Sequence, residues 1–577
     1  MNAGQPARAT SGLVATLVCA VAIVGLPSST SAQDVDLLRV RLTEAFGTFG
    51  WGDAKWGALV VSLDTNDTIL AMEPTAPMAP ASNIKLLTTA AALHVLGPGY
   101  RFRTWLLADG TIEDGVLHGD LVLYGTGDPG ISARFYGSRD EVFQRLVDQL
   151  EIAGIHTVTG DLVADASFLP GPLRDEAWDH RDLNEHFTAA VSALSYNENV
   201  VSFRIRPGVV GAPPRVETVP PHSALEVENT ARTVGSPARP RLAILRDHPM
   251  EPVRIEGRIV AGSRDVWRQM TVAVPADFAG ASLRATLEER GVTVGGETRT
   301  VLHPHASAVG RISAPAMGRS GARIVATHVS RPLTDYLEVI NKQSHNLFAE
   351  LVFRSMGRAA EGIGTRAASA RSVKRTLHLI GVDTADLVQV DGSGLAAGNR
   401  VSAAAFVQTI QGMSNGALWP EYWASLPRAG TRRELGRMYQ TAAADNLRAK
   451  TGTIEGVSAL SGMVRSADGE RLAFSLLVNG SRSQNRAKWV ENQIGVRLAE
   501  FRRSNDPVPV IVAETPPPVR AAGSTDRHRV ARGESLTTIA SRYRVSIDEI
   551  LRMNPRIEAN RIVAGQWIEI PQRTGSS

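Results

Sequence analysis

Lysine is scarce in this chain and cysteine almost absent. Of 62 basic side chains only six are lysine, and the single cysteine, Cys19, lies in an apolar run near the N-terminus. With that run removed by processing, the chain carries no thiol, which excludes cysteine nucleophiles, thiolate-held metals and disulfides. No internal stretch stays apolar long enough to cross a bilayer. His303 and His305 flank a proline without a matching ligand cluster, so neither a metal nor a cofactor is expected. Charge of one sign is lacking too. The net charge is +4, and residues 527–571, with eight arginines and five acids, account for +3 of it. The near-neutral body has no basic face for nucleic acid.

Residues 1–32 read as a secretory signal peptide: Arg8, then the apolar run Leu13–Val24, then Thr30-Ser31-Ala32 as a cleavage site before Gln33. Thr16-Leu17-Val18 lacks the small residue expected before a lipidated cysteine. The expectation is export, with no transmembrane anchor in the mature chain.

Where arginine is the default cation, a lysine points to amine chemistry, because guanidinium stays protonated whereas a buried ammonium can release its proton. Lys85 ends Ser82-Asn83-Ile84-Lys85 and Lys450 opens Lys450-Thr451-Gly452. A Ser-x-x-Lys pair at a helix start sets hydroxyl and amine one turn apart on one face. Ser344-His345-Asn346 lies between the two lysine motifs. Before Ser82, Ala58–Leu63 and Thr68–Met72 around Asp64–Asp67 predict a hairpin, and Leu86–Leu93 predicts a buried helix. A second hairpin is expected from Ala459–Val464 and Leu472–Val478.

Ser82 and Ser344 stand 262 positions apart, more than a compact site needs. The catalytic domain is therefore expected to be discontinuous, residues 33–97 and 322–502, interrupted by one or more strand-rich inserted domains over 98–321. Strands are predicted there at Leu121–Tyr124, Val200–Ile205 and Thr271–Val274. A Pro-rich linker, 503–526, leads to a βααβ unit over 527–572: strand His528–Val530, helix Leu536–Tyr543, a second helix from Ser546 to Asn554, and strand Gln566–Pro571. The fold class is α/β (α+β), an antiparallel sheet flanked by helices with large insertions and a small C-terminal domain.

Ser-x-x-Lys, Ser-x-Asn and Lys-Thr-Gly in this order resemble the motifs of penicillin-binding proteins and serine β-lactamases. With Pro80–Lys85, Gly125–Pro129, Asn341–Glu350, Asp391–Leu395 and Lys450–Thr453, the stretch from about 40 to 500 resembles the class C low-molecular-mass penicillin-binding proteins, the S13 D-alanyl-D-alanine carboxypeptidases/endopeptidases. The tail resembles a LysM module through Gly533–Leu536, Ile539-Ala540, Asn554-Pro555 and Gly565–Pro571.

The resemblance implies Ser82 as nucleophile, Lys85 as its base, and Ser344 as the relay to the leaving amine. Asn346 would hold Lys85 and the substrate amide, while Lys450, Thr451, Gly452 and Thr453 would take the terminal carboxylate. The N–H groups of Ser82 and Thr453 would form the oxyanion hole. Asp182 and Phe187 match a family segment that contacts a diaminopimelate side chain, and Ala397 stands where the family often has an arginine, with Arg400 nearby. Peptidoglycan peptides and glycan strands are the implied partners, β-lactams the implied covalent inhibitors, and Gly533, Glu534, Ser535, Leu536 and Ile562 the implied glycan contacts. The alternatives are a serine β-lactamase, which the long insert disfavours, and an inert wall-binding scaffold, which the intact lysines disfavour. Two decoys resist a functional reading. Ser195-Tyr196-Asn197 is also Ser-x-Asn but sits in what looks like a structural stretch. Gly125–Gly130 fits Gly-x-Gly-x-x-Gly, yet Pro129 interrupts it and no apolar-periodic helix follows.

Overall fold

The computed structural model describes residues 28–503 and 526–571, apart from 222–224, 237–238, 313–320, 532–533, 535, 544, 546, 555–556, 558–561 and 563–564. The apolar run of the expected signal peptide and nearly all of the expected linker lie outside these residues. Two compact units are present, divided between Asn505 and Asp506.

The first unit is organised around a five-stranded antiparallel sheet, in the order Arg448–Ile454, Val457–Arg465, Arg471–Asn479, Lys55–Ser62, Thr68–Met72. Both expected hairpins are in it, and pairing of Lys55–Ser62 with Arg471–Asn479 joins the two ends of a long chain in one sheet. Val457–Arg465 and Arg471–Asn479 are buried along nearly their whole length. Such strands read as continuous apolar runs, because both faces of the sheet are covered. Helices Ser28–Gly47 and Gln484–Glu500 share one core with the sheet, through Leu42, Val60, Phe474 and Ile494. On the other side, helices Ile84–Val95, Leu333–Lys342 and Asn346–Glu361 share a second core, through Leu87, Ile340, Phe353 and Leu477. Ile84–Val95 is buried from Ile84 to Leu93, which accounts for its alanine- and leucine-rich composition.

Between these halves, a mixed seven-stranded sheet is built around Arg103–Glu113 and Val116–Gly125, with helices Glu141–Ile152 and Pro275–Glu289 in its core. Two smaller sheets follow, of three strands around Val200–Arg206 and four around Val253–Val260. Two details differ from expectation. Arg323–Val329, assigned from sequence to the catalytic segment, pairs with Arg103–Glu113 and so belongs to the inserted sheet. The strand expected at Thr271–Val274 instead spans Val266–Thr271, because Pro275 opens a helix and the chain must turn before it.

In the second unit, Asp526–Arg529 pairs antiparallel with Trp567–Ile570, and helices Leu536–Tyr543 and Ile547–Met553 lie between them in sequence. Val530, Leu536, Ile539, Ile550, Ile568 and Ile570 form its core. Asn554 closes it, donating to the Glu569 carbonyl at 2.7 Å and accepting from the Glu569 N–H at 2.9 Å.

Candidate active site

Ser82 sits in a single 3-10 turn, Ala81–Asn83, that runs directly into helix Ile84–Val95. The turn is clamped to the sheet from both sides. Asn479 brackets Ala79, accepting from its N–H at 2.8 Å and donating to its carbonyl at 3.0 Å. Asn83 Nδ2 donates to Ser461 Oγ at 2.8 Å. Ala81, just before the serine, has φ of 48°, a left-handed conformation costing an L-residue roughly 1–3 kcal/mol, held here by its surroundings. Two glycines make room for it. A Cβ on Gly452 would meet the Pro80 carbonyl at 2.5 Å, and one on Gly394 the Ala81 carbonyl at 2.1 Å.

Lys85 is fully buried one turn after Ser82. Its Nζ donates to Ser82 Oγ at 2.9 Å, to Asn346 Oδ1 at 2.7 Å and to the Ser393 carbonyl. Burial pulls this ammonium down to about 7, against the carboxylates of Asp391 and Glu350, which pull it up. Both protonation states are therefore accessible near neutrality, as a general base requires.

The second lysine approaches from the edge strand. Lys450, also buried, donates from Nζ to Ser344 Oγ at 2.9 Å and to the Thr451 carbonyl at 2.8 Å. Burial and the neighbouring Lys85 amine hold it well below the usual lysine range. An entering carboxylate would supply the counter-charge it lacks. Ser344 is left-handed (φ 56°) in the turn between helices Leu333–Lys342 and Asn346–Glu361. Asn346 opens the second of these helices, and its Nδ2 donates to the Phe187 carbonyl at 2.8 Å. His345 turns elsewhere, its Nε2 2.8 Å from Glu198 Oε2.

These groups meet at a cleft of ≈1060 Å³ lined by Ser82, Ser344, Asn346, Thr453, Asp182 and Phe187, among others. Thr453 lines this cleft, and Lys450, Thr451 and Gly452 precede it on the edge strand Arg448–Ile454. Burial and Asp179 push the Asp182 carboxyl upward. Ala397 also lines the cleft, whereas Arg400 donates to the carbonyls of Ala397 and Asn399. The decoys are structural. Ser195 and Asn199 bond to each other at 3.0 Å inside the protein. Asp128 of the glycine-rich segment accepts from Tyr336 Oη at 2.5 Å and the Gly130 N–H at 2.7 Å.

Residue reasoning assigned no role to the acids behind Lys85. Glu350 Oε1 accepts from the Ser393 N–H at 2.8 Å, and burial raises its carboxyl to about 7. Asp391 accepts from the Gly394 and Ala396 N–H groups, both at 2.8 Å, and from Trp178 Nε1 at 3.0 Å. They fix the loop whose Ser393 carbonyl receives Lys85. A lone acid in Leu347-Phe348-Ala349-Glu350-Leu351-Val352-Phe353 was the available signal, since a buried carboxylate needs a partner.

In the C-terminal unit the expected glycan contacts divide. Glu534 accepts from the Ala531 N–H at 2.9 Å and lies 2.8 Å from His528 Nε2 and 2.9 Å from an Arg542 guanidinium nitrogen. Its side chain is thus engaged within the module. Leu536 is core, Ile562 packs half-buried against that core, and Gly533 and Ser535 lie outside the described residues.

Comparison with known proteins agrees with this geometry. Residues 50–501 match the D-Ala-D-Ala carboxypeptidase 3 (S13) family and residues 528–571 the LysM domain. A D-alanyl-D-alanine carboxypeptidase of Actinomadura sp. (strain R39) is 34% identical over 458 residues, 77% of this chain and 81% of the relative. The carboxypeptidase DacB of Haemophilus influenzae is 25% identical over 438 residues, 74% of this chain and 85% of that one. The crystal structure of penicillin binding protein 4 (dacB) from Haemophilus influenzae superposes with a TM-score of 0.66 at 23% identity, covering 80% of this chain and 98% of that one.

Proposed function

Because the chain belongs to the S13 family of serine-type D-Ala-D-Ala carboxypeptidases, we propose that Ser82 is its nucleophile and Lys85 the base that activates it. The observation carrying this assignment is the 2.9 Å contact between Lys85 Nζ and Ser82 Oγ, inside a site that holds the amine near neutrality. Ser82 Oγ attacks the carbonyl of the penultimate D-alanine and passes its proton to Lys85. The N–H groups of Ser82 and Thr453 receive the developing oxyanion. As the peptide bond breaks, the proton held by Lys85 is relayed through Ser344, which gains one proton as it gives one up, to the leaving amine, and a serine ester remains. Water then attacks that ester, releasing the shortened stem and restoring Ser82. Lys450, with Thr451 and Thr453, holds the terminal carboxylate, and Gly452 keeps that strand close to the nucleophile. Asn346 orients Lys85, while Asp182 and Phe187 face the stem's third residue. β-Lactams acylate the same hydroxyl.

The substrate is peptidoglycan stem peptide, as the terminal D-Ala-D-Ala bond, the cross-link, or both. Purified mature protein incubated with muropeptides containing pentapeptides and cross-linked dimers is expected to convert pentapeptide to tetrapeptide, and dimer to monomers where the cross-link is also cut, read by mass. No product from either, with rapid turnover of penicillin, would replace this reading with a β-lactamase.

The protein is proposed to act outside the cytoplasm, in the periplasm or wall space, held there by its LysM module. A tether of about twenty residues raises the local concentration of stems without altering the chemistry. Truncation after about residue 505 is expected to leave penicillin acylation and small-peptide cleavage nearly unchanged, while co-sedimentation with sacculi falls sharply. The arginine excess of the module makes that retention weaker at higher salt. Equal sedimentation of both forms would remove the wall-binding role.

A further inference from the structure

The roles proposed above give the stem a direction. With its terminal carboxylate at Lys450 and Thr451 and its scissile carbonyl at the Thr453 N–H, the stem's N-terminal side runs past Ile454 and Glu455, which both line the cleft. The turn they enter is tied to the segment following the central strand. The Ser481 N–H donates to the Gly456 carbonyl at 3.0 Å, and Gln484 Nε2 to the Ile454 carbonyl at 3.1 Å.

That same segment, Ser481–Arg486, is one wall of a second groove, of ≈250 Å³, whose other wall is Gly50-Trp51-Gly52. The indole of Trp51 is fixed in place. Its Nε1 donates to the Phe46 carbonyl at 2.6 Å, and its ring packs edge-on against Phe49 and Trp56. Arg482 and Arg486 are exposed, and among the described residues neither guanidinium is paired with a carboxylate. Arg486 lies over the Phe49 ring at 5.4 Å, which draws one cation toward the aromatic cluster. A rigid aromatic ring beside two unpaired guanidinium forks suits a sugar that carries a carboxylate close by.

We infer that this groove is a second substrate subsite, taking the N-acetylmuramyl sugar that bears the stem, with Trp51 against the sugar and Arg482 and Arg486 on the nearest stem carboxylate. The inference rests on the D-Ala-D-Ala reading and deepens it. Between scissile carbonyl and sugar stand three to four residues, which extended span roughly 10–14 Å. Thr453 and Gly456 are three positions apart in sequence, and the Gly456 carbonyl accepts from the Ser481 N–H at 3.0 Å.

The test compares the full mature chain with its Arg482→Ser/Arg486→Ser double variant, and separately with Trp51→Leu, on N-acetylmuramyl pentapeptide and on a short acetylated peptide ending in D-Ala-D-Ala. The LysM module is present throughout, so its own glycan binding cancels. For the double variant, kcat/KM on the muramyl substrate is expected to fall about tenfold, mainly through KM. Short-peptide cleavage and penicillin acylation are expected to stay within about twofold, because neither ligand reaches the groove. Trp51→Leu is expected to show the same split. An equal fall on both substrates, or none on either, overturns the subsite. Were the parent chain to cleave neither peptide, the D-Ala-D-Ala reading itself would fail and the subsite with it.

Discussion

Ser82→Ala is expected to abolish covalent labelling by penicillin and to lower cleavage of D-Ala-D-Ala peptides by about 10⁴-fold or more, the scale on which other serine acyl-transfer enzymes respond to loss of the nucleophile. The serine stands at a left-handed turn clamped to the sheet through Asn479 and Asn83, and its Oγ is 2.9 Å from the only amine beside it among the described residues. Among the described residues no other hydroxyl has this combination. Ser344 bonds Lys450 but does not precede a helix-borne base. The fold should be intact, because alanine removes one partly exposed oxygen and leaves no cavity of consequence. The measurement is gel fluorescence with a labelled penicillin, followed by intact-protein mass. A stoichiometric adduct on the variant would end the nucleophile assignment.

Lys85→Arg is expected to lose acylation by about 10²–10⁴-fold, although the positive charge remains, since guanidinium cannot take a proton from Ser82 near neutral pH. The parent protein supplies the matching pH dependence. Burial places the Lys85 ammonium at about 7, and in the proposed role the neutral amine is the active form. Acylation should therefore rise with pH, about tenfold per unit below pH 7, and level off above it. The carboxylates of Glu350 and Asp391 raise the Lys85 value, so Glu350→Gln should move the midpoint to lower pH. Stopped-flow acylation by a chromogenic β-lactam between pH 5 and 9 reads both effects. Acylation of Lys85→Arg at a tenth of the parent rate, or a parent profile flat through pH 7, would exclude Lys85 as the base.

Much of this was legible in the chain alone. Ser82 and Lys85 could be named because their spacing sets them one helical turn apart, and Ser344, Asn346 and Lys450 because the short motifs that hold them resemble those of penicillin-binding proteins. The two hairpins of the central sheet were legible for a related reason, since apolar runs separated by Asp64–Asp67 or Ser466–Gly469 carry their pairing locally. The separate C-terminal unit announced itself by its proline-rich approach and by glycine and proline at its turns.

Tertiary structure alone decided what depends on contacts between distant residues. Burial of Lys85, opposed by the distant carboxylates of Asp391 and Glu350, sets the amine's proton affinity, and the Ser393 carbonyl that receives it lies 308 positions away; no local pattern encodes such a meeting. The strand Arg323–Val329 has an unremarkable β sequence, and its partner, Arg103–Glu113, is chosen by how the insertion closes on itself. The side chains of Glu534 and Leu536 matched a glycan-binding motif, yet one is spent on internal hydrogen bonds and the other on the core. A motif records residue types, whereas burial and partner choice are settled only when the chain has packed, because desolvation and Coulomb energy depend on everything within a few ångströms, whatever its position in sequence.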